Sequence, residues 1–180
     1  MTRYIAFLRA INVGGHTVKM DYLRTLFDGL GLAKVETFIA SGNVIFETDT
    51  SDTSALEKAI EGHLQQALGY PVTTFIRSAD EVAAVARYQP FATEQPAASP
   101  SLYIGFLQSP PIAGAQEKLL GLRSPTDDFH IHEREVYWLC RTRMSDSPIS
   151  GAVLEKTLGM PATLRNVTTV RKLAAKYGVN

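Results

Sequence analysis

The chain has 180 residues, 45% apolar and 20% charged, with 18 basic residues against 18 acidic ones and one cysteine, Cys140. That composition is globular, enough for one large domain or two small ones. The charge balance argues against a non-specific nucleic-acid binder, which needs many phosphate-neutralising Lys and Arg, and a lone cysteine excludes an internal disulfide and suits a reducing compartment.

MTRYIAF leads straight into a strand with no signal-peptide core, and no run of about eighteen apolar residues occurs, so a cytoplasmic protein without a membrane span is expected. Residues 3–8 are β-branched, aromatic and aliphatic, as a buried strand requires. A helix follows with Met20, Leu23, Leu26, Phe27 and Leu30 on one stripe, and Gly31 ends it. Residues 35–39 and 44–46 read as strands around the turn Ser41-Gly42-Asn43. Ser54 and Glu57 have the spacing of a capping box before a helix that Gly69 and Pro71 close. Residues 72–76 give a fourth strand, and Ser78 and Glu81 cap a further short helix. The order β-α-β-β-α-β is the ferredoxin-like unit.

Residues 89–101, with three prolines and little periodicity, read as a linker between a first half (1–88) and a second (102–180). In the second, Tyr103, Ile104, Phe106 and Leu107 repeat Tyr4, Ile5, Phe7 and Leu8 in order. A helix around 115–122, a hairpin of 129–132 and 136–139, a helix over 151–158 and a short extended ATLR segment complete a similar pattern. The expected architecture is α+β: two ferredoxin-like halves packed together, plus a C-terminal helix carrying Val170, Leu173, Ala174 and Tyr177.

The loop after the first strand, RAINVGGH, holds Arg9, Asn12, Gly14 and Gly15. Adjacent glycines let backbone N–H groups approach an anion, and Arg9 adds charge. It is not a phosphate loop of Walker A type. In a split βαβ unit the first and third strands are antiparallel neighbours, so this loop lies beside Ser41 and Asn43. Arg165 and Asn166 precede the last helix, where Asn166 or Thr168 suits an N-cap. Glycine that only turns the chain, Asn in a tight turn and Asn as a cap are the plainer readings of the same residues.

Three other features carry less. His130 and His132 share a strand face without an evident third ligand, so no metal and no cofactor is expected. Cys140 is followed by Arg141 and Arg143, yet nothing identifies a base for it. His63 sits on the apolar stripe of its helix. LYIGFL is similar to one RNA-binding strand motif, but Tyr103 and Phe106 fall on opposite strand faces and cannot form one stacking platform.

Taken together, RAINVGG, TFIASGNVIFET and LGMPATLRNVTTVRKL resemble domain-of-unknown-function family 1697, whose members typically read RGINVGG, SGNVVF and T-x-RN-WNT-V-x-KL. The resemblance spans nearly the whole chain and implies a compact, mostly bacterial α+β protein without an established activity. Ala10 stands where the family usually has glycine, Val167 where it has tryptophan, Thr168 where it has asparagine, and Ser147-Pro148-Ile149 where it has Ser-Lys-Leu.

From these residues the expected function is binding of a small phosphate- or carboxylate-bearing ligand. Its polar cleft would be formed by Arg9, Asn12, Gly14, Gly15, Ser41, Asn43, Arg165 and Asn166, with guanidinium groups pairing the anion. The alternatives are a nucleic-acid-binding module, a phosphoryl or acyl transfer enzyme, and a purely structural role. Enzyme chemistry lacks an obvious base, His16 being the only titratable neighbour.

Overall fold

A computed structural model of the chain describes residues 1–11, 15–39, 42–91 and 101–178. The first strand, β1 (Thr2–Leu8), is followed by α1 (Met20–Asp28), β2 (Ala33–Thr37), β3 (Asn43–Thr48), α2 (Thr53–Leu68), β4 (Thr74–Ser78) and α3 (Ala79–Arg87). The same succession then recurs. It comprises β5 (Ser101–Phe106), α4 (Ala113–Leu120), β6 (Asp127–His132), β7 (Glu135–Cys140), α5 (Gly151–Leu158), β8 (Thr163–Asn166) and α6 (Val167–Tyr177), with a 3-10 turn at Met144–Asp146. Each set builds its own antiparallel four-stranded sheet, in the orders β2-β3-β1-β4 and β6-β7-β5-β8. These are equivalent orders, with the first and third strands central, so the chain is α+β with two similar ferredoxin-like halves.

Contacts group the chain into two units, Met1–Ala83 with the tail from Lys176, and Ala84–Ala175. Most of the stretch read as a linker, residues 92–100, lies outside the described residues.

In the first unit, alternate residues of β1 meet the helices. Tyr4, Ala6 and Leu8 pack with Leu23 and Phe27 of α1 and Leu56, Ile60 and Leu64 of α2. The period of two along the strand and the 3.6-residue period along the helices put these side chains on facing surfaces. Ile5, Phe7, Phe75 and Arg77, on the opposite face of the sheet, are also fully buried. In the second unit Phe129, Val136 and Trp138 pack with Leu119, Leu154 and Leu158. Tyr103 stands opposite Trp138 in register, ring centroids 5.2 Å apart, while Phe106 is buried on the other face. The β5 motif that is similar to an RNA-binding strand is therefore core on both sides.

Local signals settle the helix starts. Ser78 and Glu81 form a reciprocal capping box: the Ser78 N–H donates to Glu81 Oε2 (2.7 Å) and the Glu81 N–H to Ser78 Oγ (3.1 Å). The box expected at Ser54 and Glu57 does not form. Asp52 caps α2 instead, its Oδ1 accepting the Ala55 N–H at 3.0 Å, and Glu57 is buried. Asp52 also places the negative charge of a carboxylate at the helix N-terminus, which a serine does not.

One polar group lies deep in the second unit. Asp127, at the start of β6, is fully buried. Its Oδ1 accepts from Trp138 Nε1 (2.8 Å) and Ser147 Oγ (3.0 Å), and its Oδ2 from Thr126 Oγ1 (2.8 Å). The Ser147 hydroxyl also accepts the Ile149 N–H, so this carboxylate organises the segment that leads into α5.

Candidate functional site

The end of β1 is held from both sides. The Leu8 N–H donates to the Gly42 carbonyl (2.8 Å) and the Arg9 N–H to the Thr73 carbonyl (3.0 Å). Phe7 pairs with Asn43 across the ladder. Arg9, partly buried, thus leaves the sheet where the turns before β3 and β4 converge. Asn12, Gly14 and Ser41 lie outside the described residues.

The backbone here is demanding. Gly42 has φ of 84°, and a Cβ on it would sit 2.6 Å from Ile11 Cγ2 and 3.1 Å from Leu8 Cβ. Asn43 is fully buried, its Nδ2 donating to the Phe38 carbonyl (2.9 Å) while the Phe38 N–H donates to the Asn43 carbonyl (3.0 Å). The amide side chain therefore closes the turn from inside. Ala10 has φ of 54°, in the left-handed region. That is the position where the resembled family carries glycine, and alanine pays a steric penalty there that glycine does not. Ala10→Gly is expected to stabilise the protein by about 1 kcal/mol, raising the urea midpoint. An unchanged or lower midpoint would show that the flexibility gained by the unfolded chain outweighs the relieved strain.

Gly15, at φ of 88°, has open space around it, and the exposed His16 ring stacks on Tyr70 with centroids 3.8 Å apart. The Tyr70 hydroxyl is buried and has no hydrogen-bond partner among the described residues. Beyond this loop α1 begins at Met20, the first residue of the expected apolar stripe, and no side chain caps it.

Arg165 and Asn166 belong to the second unit, on β8. Arg165 is 8% exposed, and its Nη1 donates to Thr163 Oγ1 (2.8 Å) and the Leu164 carbonyl (2.9 Å). Burial lowers its pKa to about 10, still well above neutral pH, so the guanidinium keeps its charge. Asn166 Oδ1 accepts the Thr168 N–H at 2.8 Å, capping α6 as its position predicts.

A counterpart of Arg165 exists in the first unit. Arg77 on β4 is fully buried and pairs with Ile5, as Arg165 on β8 pairs with Ile104. Each Nη1 donates to the carbonyl of the preceding residue, Ile76 at 3.0 Å in one case and Leu164 in the other. One buried guanidinium thus occupies the same strand position in each half. The sequence contained a signal for Arg77: Ile5 and Ile104 already matched, and each antiparallel neighbour carries an arginine opposite that isoleucine.

The histidine pair of β6 is engaged by an aromatic ring. The Tyr88 hydroxyl lies 2.8 Å from His130 Nε2, and the Tyr88 ring stacks on His132 at 4.0 Å. Burial, and then the neighbouring His132, lower the pKa of His130. The Cys140 thiol is buried and donates to the Thr142 carbonyl (3.2 Å). Among the described residues no group of three His, Cys, Asp or Glu is arranged to hold a metal ion, and no helix is long and apolar enough to cross a membrane.

Residues 1–137 match the sequence profile of a family described as "Protein of unknown function (DUF1697)". No curated protein matches the chain. Among solved structures, the chain is similar to one described as conserved bacterial protein SP0830 from Streptococcus pneumoniae, with a TM-score of 0.75 and 25% sequence identity over 98% of each chain.

Proposed function

The chain belongs to the DUF1697 family of proteins of unknown function, and from that footing we propose that it binds a small phosphate- or carboxylate-bearing ligand at the sheet end around Arg9. The observation that carries this reading is the convergence of turns there: the backbone of Leu8 and Arg9 is fixed to Gly42 and Thr73, so the Arg9 side chain starts from a rigid position. A guanidinium presented from a fixed backbone loses little freedom when it pairs two oxygens of an anion. The left-handed Gly15 and the exposed His16 border the same loop. In this reading Asn12, Gly14 and Ser41 line the ligand, and Asn43 holds the turn that faces it. Arg165 and Asn166, in the other unit, are a separate arm of the test. Transfer chemistry is disfavoured because His16, the one titratable neighbour, has its ring stacked on Tyr70.

The test is a thermal-shift series with AMP, glucose 6-phosphate, citrate and a thymidine oligonucleotide. A ligand at a hundred times its dissociation constant stabilises by about 2.7 kcal/mol. The expected result is a shift with AMP, glucose 6-phosphate or citrate that disappears in Arg9→Ala while the far-UV spectrum is unchanged. A hit that survives Arg9→Ala but not Arg165→Lys moves the site to the second unit. A hit with the oligonucleotide alone, falling steeply with salt, replaces the reading with nucleic-acid binding.

A further inference from the structure

The first unit has a second polar feature, at the edge strand β2. A cavity of about 460 Å³ opens there, with Ile45 and Glu36 in register on its sheet side and the last turn of α6 closing it, where Lys176 and Tyr177 line it. Its volume lies within the range of small-molecule sites.

The charges around this cavity divide into two groups. Glu47 is fully engaged, with Arg3 Nη2 3.1 Å from its Oε1 and Lys34 Nζ 3.1 Å from its Oε2. Arg3 also donates through Nη1 to the Tyr177 carbonyl (3.3 Å), which ties the end of α6 to β1. Those three side chains build the wall. Glu36, Lys176 and the Tyr177 hydroxyl make up the second group. Lys176 Nζ stands 5.7 Å from the Phe38 ring centroid and 5.2 Å from that of Tyr177, so aromatic faces hold the ammonium in place. Tyr177 is 5% exposed, and its hydroxyl makes no well-formed hydrogen bond among the described residues, although Lys176 and Glu36 stand beside it. A buried hydroxyl without a partner is destabilising, and such groups in native proteins call for an explanation. Burial, with the neighbouring Glu36, raises the Tyr177 pKa against the opposing pull of Lys176, so the hydroxyl keeps its proton.

The geometry points to a binding site for a small aliphatic α-amino acid, its carboxylate accepting from the Tyr177 hydroxyl and Lys176, its ammonium donating to Glu36, and its side chain lying on Ile45. The site is separate from the Arg9 loop and does not depend on the reading given above. A zwitterion suits it because the two poles of the cavity carry opposite charge, and a bare anion or amine satisfies only one of them.

The test is titration of the ¹⁵N-labelled protein with L-valine, isobutyrate and isobutylamine, followed through the amide signals of residues 34–36 and 176–177. Valine is expected to shift these signals to saturation and to bind at least about tenfold more tightly than either half-molecule. Tyr177→Phe should weaken valine binding by about tenfold. Because that substitution removes an unpartnered hydroxyl, its melting temperature should be unchanged or higher, which separates lost binding from lost folding. Glu36→Gln should abolish the preference for valine over isobutyrate. The proposal is overturned if valine binds no better than isobutyrate and isobutylamine, or if Tyr177→Phe binds it as the parent does. It is equally overturned if Arg9→Ala removes valine binding, which would place the amino acid at the loop.

Discussion

Asp127→Ala is expected to lower stability by about 3–5 kcal/mol, because it strips the acceptor from several buried donors at once. The Trp138 indole N–H and the hydroxyls of Ser147 and Thr126 all point at this carboxylate, and Trp138 is fully buried. For a chain of this size that loss is a fall in melting temperature of roughly 10 °C. Asp127→Asn keeps the shape but trades the charge and one acceptor for a donor, and should cost about 1–2 kcal/mol. Acid behaviour supplies an independent check. Burial pushes the Asp127 pKa up, but the hydrogen bonds from Trp138, Thr126 and Ser147 outweigh it and hold the group below the ordinary carboxylate range. A carboxylate depressed in the folded state contributes stability that is complete above its unfolded pKa and is lost as pH falls through the folded one. The parent should therefore lose stability below about pH 4 more steeply than Asp127→Asn. Urea unfolding at neutral and acid pH measures both. An alanine variant within 1 kcal/mol of the parent at neutral pH would mean that water replaces the carboxylate as acceptor.

Gly42→Ala is expected to cost about 2–4 kcal/mol, the sum of a left-handed backbone penalty and a steric clash. The φ of 84° is one part, and the approach of 2.6 Å to Ile11 Cγ2 is the other. Gly69 separates the two. It has the same φ of 84° with nothing within 4 Å of its missing Cβ, so Gly69→Ala should cost only about 1 kcal/mol. The excess at Gly42 then reports the packing of the turn against β1. Amide exchange should localise the damage, with faster exchange at Leu8, whose N–H bonds to the Gly42 carbonyl. Equal losses for the two variants would show that Ile11 moves aside freely and that the sheet end is soft.

Much of this architecture was legible from period and punctuation. The strand of residues 3–8, the helix of residues 151–158 and the Ser78–Glu81 box follow from patterns a few residues long, and the structure places elements there. The neighbourhood of the β1 end and the turn before β3 follows from topology alone, once β-α-β-β-α-β is recognised. What escaped depends on pairing across the chain. Nothing near Asp127 shows that Trp138 and Ser147 supply donors to it, because β7 and the α5 approach must first be placed. Arg77 falls one residue past the expected fourth strand, and it stands out only when its register opposite Ile5 matches that of Arg165 opposite Ile104. The α2 start failed for a local reason, two competing caps two residues apart, which spacing alone does not rank. In the candidate site, Asn43 and Asn166 are positions where one side chain satisfies the plainer expectation of turn and cap. For Arg9, chain order sets a position at a strand end and topology sets its neighbours; its ligand is a matter of chemistry beyond the fold.

The membership of Lys176 and Tyr177 in the first unit has a consequence in time. Residues 84–175 make up the second unit, and all of them are synthesised between the body of the first unit and its closing turn. At 5–20 residues per second that interval is roughly 5–20 s. During it β1 waits on the ribosome without the carbonyl that Arg3 bonds and without the ring that packs edge-on against Phe38. The nascent first half therefore has its sheet sequence complete and one wall of its cavity unmade. Any ligand that needs Tyr177 can be bound only after the second half has been translated, so the late residues act as a timer on binding competence.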